Sequence, residues 1–127
     1  MQETQKLIII DDEKDLLDLM AYNFSRKGYE VFTFSHAQRA WDFLEETRPD
    51  LILCDWMMPE ISGLDFCKRV KGNLQMADIP FVMFTCRSEK SAEQQALAEG
   101  VSAFIRKPIP IPELVNKVSH IFQLQAP

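Results

Sequence analysis

Residues 51–55 read LILCD, four consecutive apolar residues followed at once by an aspartate. Two other runs, at 7–10 (LIII) and 81–84 (FVMF), are likewise apolar at every position. Short runs of this kind are typical of strands that are covered on both faces, as in parallel sheets. Weaker β-rich runs at 31–34 and 103–105 complete a set of five predicted strands.

Helical patterns separate these runs. Apolar residues recur at helical spacing in each intervening segment: Leu16, Leu17, Met20 and Phe24; Ala37, Ala40, Trp41 and Leu44; Leu64, Cys67 and Val70; Ala92, Ala96 and Leu97; Ile111, Leu114, Val115, Val118 and Phe122. Gly28 and Gly100 stand where the first and fourth helices are expected to end. Repeated strand-then-helix units need crossover connections, so the sequence predicts an α/β fold with a parallel sheet between two layers of helices.

Composition limits the classes of function. The chain has 127 residues, a length that fits a single domain over 1–127 with its core at about 6–122. Its 14 Lys and Arg against 19 Asp and Glu give a net charge of −5. No basic run exceeds two residues, so we expect no direct nucleic-acid binding. No apolar run approaches the roughly 18 residues of a membrane span, which predicts a cytoplasmic protein without membrane contact. Cys54, Cys67 and Cys86 are expected to be small buried residues in a reducing compartment.

Polar residues follow four of the predicted strands. Asp11 and Asp12 follow the first strand and Asp55 the third, Thr85 follows the fourth, and Lys107 lies just beyond the fifth. The carboxyl ends of parallel strands share one edge of the sheet, where ligands bind. Three carboxylates at this edge would repel one another, which would raise the pKa of at least one of them or recruit a cation. Oxygen ligands of this kind suit Mg²⁺. Together with an ammonium and a hydroxyl, such an ion would match the charges of a phosphoryl group.

Each of these residues also has an ordinary explanation when it is considered alone. Asp12 is suited to capping the first helix, Thr85 to forming a turn, and Lys107 to being a solvated charge. Asp55 is harder to explain in this way because apolar residues stand on both sides of it. The convergence of all of them on one edge is what favours a functional site.

The sequence resembles the receiver domain of two-component response regulators over residues 6–122. The resemblance rests on the acidic pair in IIIDDE (8–13), on the pattern D-x-x-M-P-x-x-x-G over Asp55–Gly63, on Thr85 and on Lys107-Pro108. It implies a flavodoxin-like fold, in which a five-stranded parallel sheet of order 2-1-3-4-5 is sandwiched by five helices.

The resemblance also implies a chemistry for the site. Asp55 is the expected phosphoacceptor, which attacks a phosphohistidine of a histidine kinase or phosphotransfer protein. The expected Mg²⁺ ligands are the side chains of Asp11, Asp12 and Asp55 and the backbone carbonyl of Met57. Lys107, in a cis peptide bond with Pro108, is expected to pair with the aspartate and then with a phosphoryl oxygen.

A switch is implied as well. Thr85 is expected to move toward the phosphoryl group, and Phe104, which matches the switch aromatic of the family, is expected to turn inward in response. This movement would change the face made by the fourth helix, the fifth strand and the fifth helix, which binds a downstream protein or an output domain. The resemblance therefore implies a phosphorylation-activated signalling switch rather than an enzyme that turns over a small molecule.

Two other functions stay open at the level of sequence. The first is a Mg²⁺-dependent phosphatase with an aspartyl-phosphate intermediate, although such enzymes usually carry D-x-D after the first strand and this chain has the adjacent pair Asp11-Asp12. The second is a receiver-like interaction module that acts without phosphorylation. Whether the chain is a stand-alone regulator, a phosphate-shuttling relay or part of a longer protein is not decided by its sequence.

Overall fold

The protein is described by a computed structural model that covers residues 4–125. Its strands are β1 (Lys6–Ile10), β2 (Glu30–Phe34), β3 (Leu51–Cys54), β4 (Phe81–Thr85) and β5 (Ala103–Arg106), and its helices are α1 (Lys14–Arg26), α2 (Ala37–Leu44), α3 (Gly63–Lys71), α4 (Lys90–Ala98) and α5 (Ile111–Gln125). All strand pairs are parallel and the order is β2-β1-β3-β4-β5. The predicted α/β fold with five parallel strands and five helices is confirmed, whereas the single-domain boundaries of 1–127 stay a prediction.

An apolar layer covers each face of the sheet. Alternate residues of β3 show this: Ile52 packs in the layer that includes α2, α3 and α4, whereas Leu53 packs in the layer that includes α1 and α5. β1 and β4 alternate in the same way. This two-sided burial is the physical reason that these strands are apolar at every position.

Helix ends and helix packing follow the sequence pattern closely. Gly28 and Gly100 have φ angles of 107° and 101°, and they follow α1 and α4 as predicted. α4 buries only two small side chains, Ala92 and Ala96, so few contacts hold it to the sheet. Within the described part of the chain, no helix is both long and apolar enough to cross a membrane.

Three side chains differ from the sequence-based expectation, one of which is Leu97 of the predicted apolar stripe of α4, whose side chain is exposed. Cys86 is exposed, not buried, because it lies beyond the end of β4 in the loop that leads to α4, whereas Cys54 and Cys67 are buried as predicted. Burial raises the pKa of the Cys67 thiol to about 11. Phe66 was missing from the predicted apolar stripe of α3, yet it is fully buried and packs against Phe81 with the ring centroids 6.1 Å apart.

The loop from β3 to α3 folds back onto its own start. The amide of Gly63 donates a hydrogen bond of 2.7 Å to the carbonyl oxygen of Trp56. A β-carbon at Gly63 would lie 2.8 Å from both the carbonyl carbon of Asp55 and the Cα of Trp56, and closer still to the Asp55 carbonyl oxygen. The last position of the D-x-x-M-P-x-x-x-G pattern is therefore glycine because the backbone of Asp55 occupies the space of any side chain.

We predict that Gly63→Ala lowers the free energy of unfolding by about 1–3 kcal/mol, because the new methyl group must displace the backbone around Asp55. Urea denaturation measures the change. Gly72→Ala is the matched control: Gly72 has φ −80°, and the nearest atom to its β-carbon would be the Lys68 carbonyl oxygen at 3.2 Å, so its effect is expected to stay below about 1 kcal/mol. Equal effects of the two substitutions would contradict the close-approach explanation.

Candidate functional site

The carboxyl edge of the sheet brings the candidate residues together. β1 and β3 are neighbours, so Asp11 and Asp12 meet Asp55, and each of the three side chains offers a carboxylate oxygen within 4.8 Å of the other two. Asp11 and Asp55 are buried, whereas Asp12 is exposed. The N-cap position of α1 is Glu13, whose side chain makes no capping hydrogen bond, so Asp12 does not stand at the cap and the capping explanation of Asp12 is wrong.

The Lys107 ammonium lies between the two buried carboxylates. Its Nζ is 2.8 Å from Oδ2 of Asp11 and 3.1 Å from Oδ2 of Asp55. The three side chains are only 7%, 1% and 9% exposed, respectively. Because one cation faces two anions in a region that excludes most water, the buried site carries an excess of negative charge even before Asp12 is counted.

Backbone amides hold the second oxygen of each buried carboxylate. The amide of Glu13 donates to Oδ1 of Asp11 at 2.9 Å, and the amide of Met57 donates to Oδ1 of Asp55 at 3.1 Å. Among the described residues, no buried side-chain nitrogen or oxygen is without a hydrogen-bond partner. The two carboxylates are therefore fixed in orientation from both sides.

The charge balance of the site is visible in two pKa shifts. Burial raises the pKa of the Asp11 carboxyl, and the hydrogen bond from Lys107 offsets only part of that effect. Repulsion from Asp55 is the smallest contribution, so the main cause is desolvation and not the like-charge repulsion that the sequence indicated. Burial alone would lower the pKa of the Lys107 ammonium, but its hydrogen bonds and charge attraction to Asp11 and Asp55 outweigh burial and raise it.

Thr85 completes the edge on the side of β4. Its side chain is fully buried, and its hydroxyl oxygen accepts a hydrogen bond of 3.3 Å from the amide of Arg87. The Arg87 guanidinium lies 4.4 Å from the centroid of the Trp56 ring, and its Nε is 3.2 Å from a carboxylate oxygen of Glu89. An open cavity of about 560 Å³ lies beside Arg87 and Trp56, and Met57 also lines it. These contacts join two separate loops, and no sequence pattern indicated them.

Two further expectations concern β5 and the residues after it. The Lys107–Pro108 peptide bond is cis, as the resemblance implies. Phe104 is half-buried and packs against the apolar layer that includes Ala92 and Ala96 of α4. That packing is what an ordinary strand phenylalanine would make, so the switch role of Phe104 stays a prediction.

The fold and the acidic site together define the class of protein. A family model, the response regulator receiver domain, matches residues 7–119. The chain therefore belongs to the receiver domains of response regulators, the signalling switch domains of two-component systems, and the resemblance drawn from its motifs is confirmed.

The chain is similar to part of longer curated proteins. The phosphate regulon transcriptional regulatory protein PhoB of Rhizobium meliloti (strain 1021) is 34% identical over 122 residues, which cover 96% of this chain and 54% of that protein. The alkaline phosphatase synthesis transcriptional regulatory protein PhoP of Bacillus subtilis (strain 168) is 31% identical over 119 residues, covering 94% and 49%. The chain thus spans about half the length of the curated relatives it matches.

Solved structures agree with the fold. A response regulator from Desulfuromonas acetoxidans superposes with a TM-score of 0.86 at 27% identity, covering 96% of this chain and 99% of that one. The signal receiver domain of a signal transduction histidine kinase from Syntrophus aciditrophicus gives a TM-score of 0.87 at 27% identity, covering 96% and 92%. The same fold thus occurs both in response regulators and within a histidine kinase.

The acidic cluster also passes a chemical test for a metal site. Its three side chains, those of Asp11, Asp12 and Asp55, supply only carboxylate oxygens, the donors that hard divalent cations prefer. The excess negative charge of the buried pair and the raised pKa of Asp11 are what a bound cation would relieve. The residues present therefore fit a hard divalent ion.

We predict that Lys107→Met raises the pKa of Asp11 further, because it removes a hydrogen bond and a positive charge that now lower it. The folded-state pKa already lies above the unfolded value of 3.8, so this carboxyl stabilises the fold at acid pH and that stability is lost as pH rises through the folded pKa. In the variant the loss is expected to extend to higher pH.

The measurement is a ¹³C NMR titration of the aspartate carboxyl carbons without divalent cations, together with urea denaturation across the same pH range. Lys117→Met, at an exposed position of α5, is the control and is expected to leave the pKa of Asp11 unchanged. An Asp11 pKa that stays constant or falls in Lys107→Met would overturn the electrostatic account of the site.

Proposed function

We propose that this domain is a phosphorylation-activated switch in which Asp55 accepts a phosphoryl group from a phosphohistidine. The observation that carries the proposal is the Lys107 ammonium lying between Asp11 and Asp55, with all three candidate carboxylates within 4.8 Å. Nucleophile, cation and metal-ligating oxygens are the parts that phosphoryl transfer requires, since its catalysis is mostly positioning and charge stabilisation.

Asp55 acts as the nucleophile. A carboxylate oxygen of Asp55 forms the new bond to phosphorus while the bond from phosphorus to the imidazole nitrogen breaks, and the electron pair of that bond stays with the imidazole. The Met57 amide and Lys107 hold the carboxylate in a fixed orientation before the reaction, which is the kind of preorganisation that lowers the barrier. Lys107 then donates to a phosphoryl oxygen, and the Thr85 hydroxyl donates to another.

We assign Mg²⁺ to the acidic cluster. Asp11, Asp12 and Asp55 would hold it, together with the backbone carbonyl of Met57. When bound, the ion supplies positive charge that offsets the negative charge of the transferring phosphoryl group. Asp12, which is exposed and does not cap α1, is available for this role.

The signal then passes from Thr85 to the surface. Movement of the Thr85 hydroxyl toward the phosphoryl group opens space near Phe104, whose strand position lies opposite Met83 of β4. Phe104 turns inward and changes the face made by α4, β5 and α5. A small difference in contact energy suffices for such a population shift, and α4 is the weakly anchored element on this face.

The partners of this switch are proposed by class. A histidine kinase or phosphotransfer protein supplies the phosphoryl group, and a downstream protein or an output domain reads the altered face. Relatives of about twice this length are named as transcriptional regulatory proteins, which favours an output step of that kind. We also propose a cytoplasmic location, where the free thiols of Cys54, Cys67 and Cys86 stay reduced.

We predict that Asp55→Asn abolishes Mg²⁺-dependent phosphorylation by acetyl phosphate, because the amide is a much poorer nucleophile than the carboxylate. Intact-protein mass spectrometry measures the added phosphoryl group, and its loss at alkaline pH identifies an acyl phosphate. Asp18→Asn, which changes an exposed carboxylate of α1, is the control and should be phosphorylated like the unmodified protein.

The alternative functions are outcomes of the same experiment. Equal phosphorylation of Asp55→Asn would contradict the assignment of the nucleophile. Steady turnover of a chromogenic phosphate ester would favour the phosphatase, and no response to acetyl phosphate and Mg²⁺ in the unmodified protein would favour an interaction module that acts without phosphorylation.

A further inference from the structure

An ion pair ties α4 to β5 beside the candidate switch residue. Nη2 of Arg106, the last residue of β5, lies 2.6 Å from Oε1 of Glu93 in the first turn of α4. The two side chains are 43% and 34% exposed, so the pair is partly shielded from water. The Arg106 guanidinium carbon also lies 5.4 Å from the centroid of the Phe104 ring, within the range of a cation–π contact.

The register of the sheet puts this pair next to the candidate switch hydroxyl. Arg106 is the direct partner of Thr85 across β4 and β5, and Phe104 is the partner of Met83. Because side chains alternate along a strand, Arg106 and Phe104 point to the same face of the sheet. That face is the one on which α4 packs, since Met83 and Phe104 belong to the apolar layer that includes Ala92 and Ala96.

The weak packing of α4 makes this ion pair important for the position of the helix. Ala92 and Ala96 are the only buried residues of α4, and both have small side chains. The Arg106–Glu93 ion pair therefore adds a polar tether to a helix that few apolar contacts hold. A displacement of the Phe104 ring relative to α4 changes the contact of the ring with Arg106 and, through Arg106, the tether to Glu93.

We propose that Arg106 and Glu93 form a latch that holds Phe104 and α4 in the conformation seen here. The latch thereby helps to set the free-energy difference between this conformation and the active one. Arg106 covers the Phe104 ring, and Glu93 keeps Arg106 in that position. When Phe104 turns inward, the ring leaves Arg106 and the latch opens. This inference rests on the proposed function, and it adds two positioning residues that act through Phe104 without contact to the phosphoryl group.

Removing the latch should therefore favour the active conformation. The test is calorimetric titration of beryllofluoride, a stand-in for the phosphoryl group, in the presence of Mg²⁺. Glu93→Gln and Arg106→Met are each expected to tighten the apparent affinity by about three- to tenfold, the combined range of a partly exposed ion pair and a cation–π contact. The double variant should gain little more than either single variant, because both substitutions open the same latch.

The chain offers a matched control and a conservative variant. Arg48 and Asp78 form another ion pair, with 2.7 Å between Nη2 and Oδ1, near the amino ends of the strands. Asp78→Asn removes one charge as Glu93→Gln does, but far from Phe104, and it should leave beryllofluoride affinity unchanged. Arg106→Lys keeps the charge and is expected to lie between the unmodified protein and Arg106→Met.

Failure of the latch and failure of the proposed function give different results. If the unmodified protein binds beryllofluoride and Glu93→Gln binds it equally or more weakly, the latch is wrong and the switch stands. If the unmodified protein binds none, the proposed function fails, and the latch is then tested in the ligand-free state by the NMR signals of the Phe104 ring. Unchanged ring signals in Glu93→Gln and Arg106→Met would reject the latch in that case too.

Discussion

The Lys107 ammonium between Asp11 and Asp55 is the interaction on which the rest of the site depends. Two carboxylates that lose most of their contact with water are tolerated at one edge of a sheet only if a positive charge and hydrogen-bond donors compensate for burial. Lys107 supplies the charge and the amides of Glu13 and Met57 supply further donors. This compensation is incomplete, as the raised pKa of Asp11 shows, and the remaining negative charge is what a bound cation would offset.

The topology of the sheet explains why these residues meet. Five parallel strands end at the same edge, so residues that are far apart along the chain become neighbours without any long loop. The close approach of Gly63 to Asp55 and the hydrogen bond between Arg87 and Thr85 then tie the two adjoining loops to the site. The same edge therefore combines rigid strands, which position the chemistry, with α4, whose few buried contacts leave it suited to movement.

Much of this architecture could be predicted from the sequence, because strands buried on both faces must be apolar at every position and because strand ends in a parallel sheet must converge. The details that sequence did not reveal are contacts between side chains of separate elements. The Arg106–Glu93 pair, the stacking of Arg87 on Trp56 and the burial of Phe66 each depend on how elements pack, which apolar periodicity does not specify. The exposure of Cys86 was missed for a related reason, since the sequence beside the apolar run at 81–84 does not show that the chain leaves the core directly after Thr85.

The proposal that Asp11, Asp12 and Asp55 form one cation site, whose charge Lys107 only partly balances, underlies the function assigned to the domain. It is tested most directly by titrating Mg²⁺ into protein labelled with ¹³C at the aspartate carboxyl carbons. We expect these three signals to shift together along one saturable curve, whereas the signals of exposed carboxylates such as Asp18 and Asp65 do not follow it. Three separate curves, or no saturable shift at any of the three residues, would contradict it.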